Sequence, residues 1–565
     1  MQKPSQIVDM HTHLFNARYL PLRGIAISRG IPKPLADIFA RLSWALTHLS
    51  EFDSNAGELP DLLDTYWQFG GADSNLFTAA PKSNVQSHFN DNHEHSDPET
   101  IDQYITILAL NSASLYYFST QSERANEWVS TNFQPDARAT NHELFRNEIQ
   151  DLFQDIHTHF GDDESARELE IPRSSKKMRA WGWGLVNLIK RVYSKILTKV
   201  DDAIDFIDFA WNMTRPEESL LDRLSEYYTK KNIPFILVHH MMDMEYPYRL
   251  LNRRPKNGEV KISYYRNAPN HPSQLSQMRQ LALKSQGTLL GFSAFDPTRF
   301  LDTQYFKAEI EAHLDSSISF GMIGFKFYPP LGFRPAQNSD PRTEEVVDIF
   351  LDYCASRDIC VFAHCTPKGF ELSPKRETGQ NAAPKYWRAA LEKPGRNNLR
   401  LCLGHAGGGL YHSKHTDFVS YGWLARNAQQ WDHSDNYAAE VVSLCREYPN
   451  VYCELANIDT IISDSSARKY MAMNLKQQLT NLDIPSPYLL KDKIMYGTDW
   501  HMVGMVNDLV TYFDKLLEIF NQPSLLPNIE PFFNGNALKY LKNQDAFAHN
   551  AFNAFRERLN DKVYF

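Results

Sequence analysis

Eight short apolar runs, each ending in polar residues, recur along this 565-residue chain and limit the folds open to it. They are IVDMHTH (7–13), IPFILVHH (233–240), TLLGFSAFDP (288–297) and MIGFKFYPP (322–330), then DICVFAHC (358–365), LRLCLGHAGG (399–408), NVYCELAN (450–457) and KIMYGTDW (493–500). From the second run onward most gaps are long enough for a helix, as in TEEVVDIFLDYCASR before the fifth. Strands alternating with helices pair in parallel, because a parallel neighbour is reached only through a crossover. Eight such units predict an α/β fold, a closed (β/α)8 TIM barrel. An open doubly wound sheet is the alternative, but no glycine-rich phosphate loop follows a strand to favour it.

The first gap is different. Roughly 220 residues separate the first two runs, far more than an ordinary connection. The barrel is therefore assigned to 5–15 and 233–543, a mainly helical insertion to 16–232 and a C-terminal helical tail to 544–565. Within the insertion, LFRNEIQDLFQDIHTHF spaces Phe145, Ile149, Leu152, Ile156 and Phe160 at helical steps. WGWGLVNLIKRVYSKILTKVDDAIDFIDFAW continues similarly through Leu185, Leu188, Val192, Ile196, Val200, Ile204 and Ile207, with an apolar face suited to packing on the barrel. The polar stretch 86–100 reads as a loop, and its His88, His93 and His95 as solvated.

Hydrophobic residues make up 42% and aromatics 13%, which supports a folded chain rather than disorder. A net charge of −9 with no basic tail or stripe argues against nucleic acid as a partner. No run of about 18 apolar residues suggests a membrane span, and the start, MQKPSQIVDMHTH, has no secretory pattern. Cys354, Cys360, Cys365, Cys402, Cys445 and Cys453 form no CxxC pair and read as buried reduced thiols, which implies a cytoplasmic location. A small-molecule substrate is expected, and a homo-oligomer is possible.

The chemistry concentrates at strand ends. Asp9, His11 and His13 stand at i, i+2 and i+4, so the strand period of two predicts one shared face. A lone HxH is a weak signal, equally satisfied by two hydrogen-bonded histidines. Here His364 lies at the end of the fifth strand, one residue before the run closes at Cys365, with His405 in the sixth run and Asp499 in the eighth. Ligand-capable residues on separate buried strands are costly unless they share a partner, and one divalent cation at the barrel mouth satisfies them together. The spelling D-x-H-x-H recurs at Asp155, His157 and His159, but in a helical pattern, where i and i+2 point about 200° apart and cannot chelate one ion. Lys326 reads as a snorkelling or ion-paired lysine, a substrate-carboxylate contact, or a carbamylated bridge between two metals. Arg334 and Trp500 are further substrate-binding candidates, and Glu454 is a candidate to support the ligands. His239 and His240 are left out of the metal site. His412 and His415 read as surface residues.

The pieces VDMHTHLF, MMDMEYP, FSAFDPTR, GFKFYPPLGF, VFAHCTP, LGHAGG, MYGTDW and FFNGNALKYL together resemble the amidohydrolase superfamily, in the branch of aminocarboxymuconate semialdehyde decarboxylase and related metal-dependent hydrolases. The resemblance implies that His11, His13, His364 and Asp499 bind metal and that His405 lies beside the metal-bound water or substrate. With Zn²⁺ as the cation, a coordinated water ionises near pH 7. Asp499 is then the expected acid–base group, and His405 orients the water or stabilises the oxyanion. Hydrolysis of a small amide, ester or lactone is the first expectation. Non-oxidative decarboxylation of a carboxylated ring compound, with Lys326 and Arg334 as cations, is the second, and a non-catalytic binding protein the third.

Overall fold

A computed structural model describes residues 1–43, 151–156, 158, 192, 209, 212–213, 215–252, 273–285, 288–304, 306–480, 486–502, 505 and 509–541. The chain divides into two compact units. One comprises Met1–Phe15, Glu217–Leu250 and Lys261–Phe565, and the other Asn16–Pro216 and Leu251–Val260.

The first unit is the (β/α)8 barrel. Its strands are β1 (Ile7–Thr12), β2 (Phe235–His240), β3 (Leu289–Phe295), β4 (Gly324–Phe327), β5 (Cys360–His364), β6 (Leu401–Gly404), β7 (Val451–Leu455) and β8 (Ile494–Tyr496). They form one eight-stranded sheet in chain order, with every adjacent pair from β1 to β8 parallel. The seam closes just beyond β8, where Asp499 N–H donates to the His11 carbonyl at 2.6 Å and His13 N–H to the Trp500 carbonyl at 2.5 Å. One helix precedes each following strand or ends the series: α1 (Glu217–Lys230), α2 (Gln274–Lys284), α3 (Phe306–Ser319), α4 (Pro341–Ser356), α5 (Pro384–Leu391), α6 (Tyr437–Glu447), α7 (Ser465–Thr480) and α8 (Leu509–Phe520).

Local chemistry sets these elements. Asp340 caps α4 by accepting from the N–H groups of Arg342 and Thr343, and Pro341 occupies the first turn, where its missing N–H costs nothing. Strand β4 alternates cleanly. Phe325 and Phe327 both pack on Phe350 of α4, at 5.7 and 5.9 Å between centroids, so the period of two turns Lys326 into the barrel. Gly324 permits the close approach of β5, since a Cβ there would lie 2.5 Å from the Cys360 carbonyl oxygen. All six cysteines are unpaired and buried, in line with reduced thiols. Among the described residues no helix is long and apolar enough to cross a membrane.

In the second unit, helix Leu22–Ser28 and a helical stretch over 33–43 bury Ile25, Leu35, Ile38, Phe39 and Leu42. Residues 151–156 are helical and bury Leu152 and Ile156, as their spacing predicts, together with Phe153. Val192 is helical and buried. The rest of the long apolar stripe, including Ile196, and the 86–100 loop and the 544–565 tail lie outside the described residues.

Candidate metal centre

The barrel interior draws ligand-capable side chains from four strands toward one point. His11 lies on β1 and His13 one residue past its end, while His364 is the last residue of β5. His405 follows β6, and Asp499 lies three residues beyond β8. His405, Asn457 and Asp499 have φ of 60°, 52° and 63°, a left-handed conformation uncommon for residues with a Cβ. Such strain, of roughly 1–3 kcal/mol each, persists where the surroundings over-determine it, and it clusters at functional sites.

The hydrogen bonds define the imidazole tautomers. His11 Nδ1–H donates to Glu454 Oε1 at 2.8 Å, and His13 Nδ1–H to the His240 carbonyl at 2.9 Å. Their Nε2 atoms therefore carry lone pairs, and both face Asp499 Oδ1, at 3.2 and 3.1 Å. The other Asp499 oxygen, Oδ2, accepts from the Asn457 amide at 2.8 Å. His405 Nδ1–H donates to the Ala456 carbonyl at 3.2 Å, and His364 Nε2–H to that of Lys368. Their remaining nitrogens, His405 Nε2 and His364 Nδ1, face each other at 3.0 Å. The Lys326 ammonium donates to His11 Nε2 at 3.0 Å and lies 4.4 Å from the centre of the Phe362 ring.

Burial dominates the electrostatics. It pushes His11 and His364 well below the ordinary imidazole range, and His405 down to about 4. It also brings Lys326 down to about 8, against the pull of Asp499 and Glu454. For Asp499 burial acts upward, but the neighbouring His13, His405 and Lys326 hold it at about 2. The Glu454 carboxyl is raised well above its usual range by burial, and its Oε2 has no hydrogen-bond partner.

Two lone pairs and a carboxylate oxygen this close repel one another unless positive charge lies among them. Lys326 covers His11 Nε2, and an additional proton would cover His13 Nε2. A divalent cation would serve all three donors together. Ligands on one ion with bonds of about 2.1 Å stand roughly 3.4 Å apart, so the observed separations need only small adjustments. His11, His13 and Asp499 group as potential ligands, as do His11, His405 and Glu454. The residues present thus fit a single divalent ion. Two imidazoles and a carboxylate suit zinc and also manganese or iron.

Several expected positions fall elsewhere. Asp9 does not share the His11 face, because the β1–β2 register shifts between Asp9 and Thr12. Its carboxylate instead turns to the helix layer and accepts from Tyr228 of α1 and from Thr498 Oγ1, both at 2.7 Å. Arg334 stacks on Tyr386 at 4.4 Å and donates through Nε to Asn381, on the barrel rim. Trp500 is fully buried, edge-on to Tyr227 of α1 and to His501. His412 and His415 are exposed, as their sequence context suggests. His239 accepts from Leu14 N–H, and His240 donates to the Met10 carbonyl, so both brace the strand ends. Asn457, which orients Asp499, had no signal in the sequence beyond its place two residues after a strand.

No family model and no curated protein matches the chain. Among solved structures it is similar to 5-carboxyvanillate decarboxylase from Novosphingobium aromaticivorans, with bound manganese and 3-methoxy-4-hydroxy-5-nitrobenzoic acid. The identity is 13%, the TM-score 0.31, and the match covers 56% of this chain and 80% of that one.

Proposed function

We propose that the protein is a metal-dependent lyase that removes carbon dioxide from a carboxylated ring compound, with His11, His13 and Asp499 holding one divalent cation. His364 would complete the set through Nδ1, the atom that now faces His405. The observation that carries the reading is Lys326, a buried ammonium 3.0 Å from His11 Nε2. A second fixed positive charge beside a cation site suits an anionic substrate group, and a carboxylate is the group a decarboxylase must grip. Hydrolysis of a neutral amide or ester gives this lysine no comparable role, which reverses the order expected from the sequence motifs. Arg334, the other cation once expected to share this task, stacks on the rim.

When bound, the cation supplies Lewis acidity at a substrate oxygen. Lys326 holds the carboxylate, and Phe362 beneath it keeps the ammonium from water. Cleavage of the carbon–carbon bond leaves its electron pair on the ring carbon and expels carbon dioxide, and one proton must then reach that carbon. With His364 Nδ1 turned to the cation, His405 Nε2 would be free to relay that proton from water, its ring lying 4.8 Å from that of His11. Asn457 keeps Asp499 oriented throughout.

The test is a panel of hydroxylated and heterocyclic carboxylic acids beside esters, lactones and amides, run in oxygen-18 water. Carbon dioxide release without label in the organic product is expected. Lys326→Met should lower kcat/KM by more than about 100-fold while metal content is unchanged. Label in a product acid, with turnover indifferent to Lys326→Met, would establish hydrolysis instead.

A further inference from the structure

Arg334 belongs to a motif, GFKFYPPLGFRP, whose other cation faces the metal centre, yet its own guanidinium lies in a cleft of about 470 Å³ on the barrel rim. The walls come from the loops after β4, β5 and β6, at the C-terminal end of the strands. None of the metal-donor residues lines it.

Three cations meet there: Arg334, Arg376 and Lys385. Among the described residues no carboxylate lies within ion-pair distance of any of them, whereas the two buried arginines of the barrel are paired, Arg400 with Asp358 and Arg396 with Asp348. Arg334 is held rigidly. Its plane stacks on Tyr386, and Nε donates to Asn381 at 2.8 Å. Its Nη1 also donates to the Gln337 carbonyl at 3.4 Å, so Nη2 is the terminal nitrogen left to grip a carboxylate or phosphate. Lys385 stands 5.3 Å from the same ring.

The cleft also contains acids, and they decide whether an anion can enter. Glu440 is engaged by Arg388 at 3.5 Å. Glu377 accepts from Gln380 of its own loop and from Ser413 of the loop after β6. Setting Asp435 and Glu377 against Arg334, Arg376 and Lys385 leaves the cleft with one positive charge in excess. The remaining wall is polar, including Thr378, Gln380 and Ser434, which fits a hydrophilic ligand rather than an apolar one.

We infer that this rim cleft is a binding site for a small organic dianion, a dicarboxylate or a phosphomonoester, gripped by Arg334, Arg376 and Lys385. The inference does not depend on the reaction proposed above, and its test requires no turnover. Full-length protein is titrated by calorimetry with succinate, inorganic phosphate and acetate at matched ionic strength. Succinate or phosphate should bind at least about tenfold more tightly than acetate, a difference of about 1.4 kcal/mol. Which dianion binds better identifies the ligand class. Arg334→Gln should weaken that binding about tenfold or more. Arg376→Gln with Lys385→Gln, both at exposed positions, should do the same without disturbing the fold. His11→Ala should leave it unchanged. Equal binding of acetate and the dianions, binding indifferent to both sets of variants, or no binding to folded protein would overturn the site.

Discussion

The same five-letter pattern occurs twice in this chain, as Asp9-Met10-His11-Thr12-His13 and as Asp155-Ile156-His157-Thr158-His159, and the two copies differ in almost every physical respect. The first lies on and just past β1, where His11 and His13 come within 3.2 Å of one carboxylate oxygen. In the second, residues 151–156 are helical, Ile156 is buried, and Asp155 pairs with Arg41 at 2.7 Å. His157 and His159 lie outside the described residues. Backbone period, not spelling, decides which copy can collect ligands. A strand repeats its face every two residues and a helix does not.

The comparison is broken most forcefully at the metal. His11→Ala and Asp499→Ala should each lower metal affinity by more than roughly 100-fold, exceeding the 10–100-fold usual for outer partners of a ligand. His157→Ala should leave metal content unchanged. Metal analysis of chelator-free preparations checks all three. Loss of metal in His157→Ala would mean that the helical copy, not the strand copy, is the site.

A smaller effect sharpens the reason for the difference. His11 is anchored by Glu454 Oε1, which also accepts from the backbone N–H of His405 at 2.8 Å, tying β1, β6 and β7 together. Glu454→Gln keeps the size but disturbs the acceptor that fixes the His11 ring. Metal affinity should fall about 10–100-fold with little change in fold. An unchanged affinity would assign Glu454 to packing.

Much of this was readable in advance. All eight strands lie inside the apolar runs that foretell them, because strands covered on both faces by helices and barrel contents are written as nearly continuous hydrophobic stretches. Lys326 could be placed inside the barrel, since β4 is a four-residue alternation of glycine, phenylalanine, lysine and phenylalanine. What resisted was anything set by a departure from regular geometry. Asp9 leaves its expected face through a register shift. Asn457 reaches Asp499 through a positive φ. Arg334 and Trp500 turn to partners, Tyr386 and Tyr227, that lie far from them in sequence.

Asp9 extends the contrast to pH. Burial pushes the Asp9 carboxyl up to about 7, against hydrogen bonds from Thr498, Tyr228 and the backbone. In the unfolded chain it titrates near about 4. Between these values the folded form keeps a proton that the unfolded form has released. Its contribution is therefore complete below about pH 4 and is lost as pH rises through about 7, with a slope of at most about 1.4 kcal/mol per unit. Asp9→Asn should flatten that slope in denaturant titrations across the window at constant metal loading. A wild-type profile that rises with pH, or an unaltered slope in the variant, would place the titration on another group.

The smallest effect belongs to the second copy. Asp155 is about a third exposed, with a side-chain accessibility of 38%, while that of Arg41 is 6%. Arg41 also has Asp37 within 3.7 Å, so losing Asp155 would not leave the guanidinium without a carboxylate. A partly solvated pair of this kind contributes about 0–1 kcal/mol, because water and a second partner replace most of what is lost. Asp155→Asn should therefore lower stability by less than about 1 kcal/mol, with metal content intact. Asp499→Asn, the same chemical change at the strand site, should remove metal while its hydrogen bond from Asn457 has an oxygen still available to accept it. Measuring both variants by metal analysis and thermal unfolding separates a carboxylate that works by position from one that only neutralises a neighbour. A metal deficit in Asp155→Asn would erase the distinction.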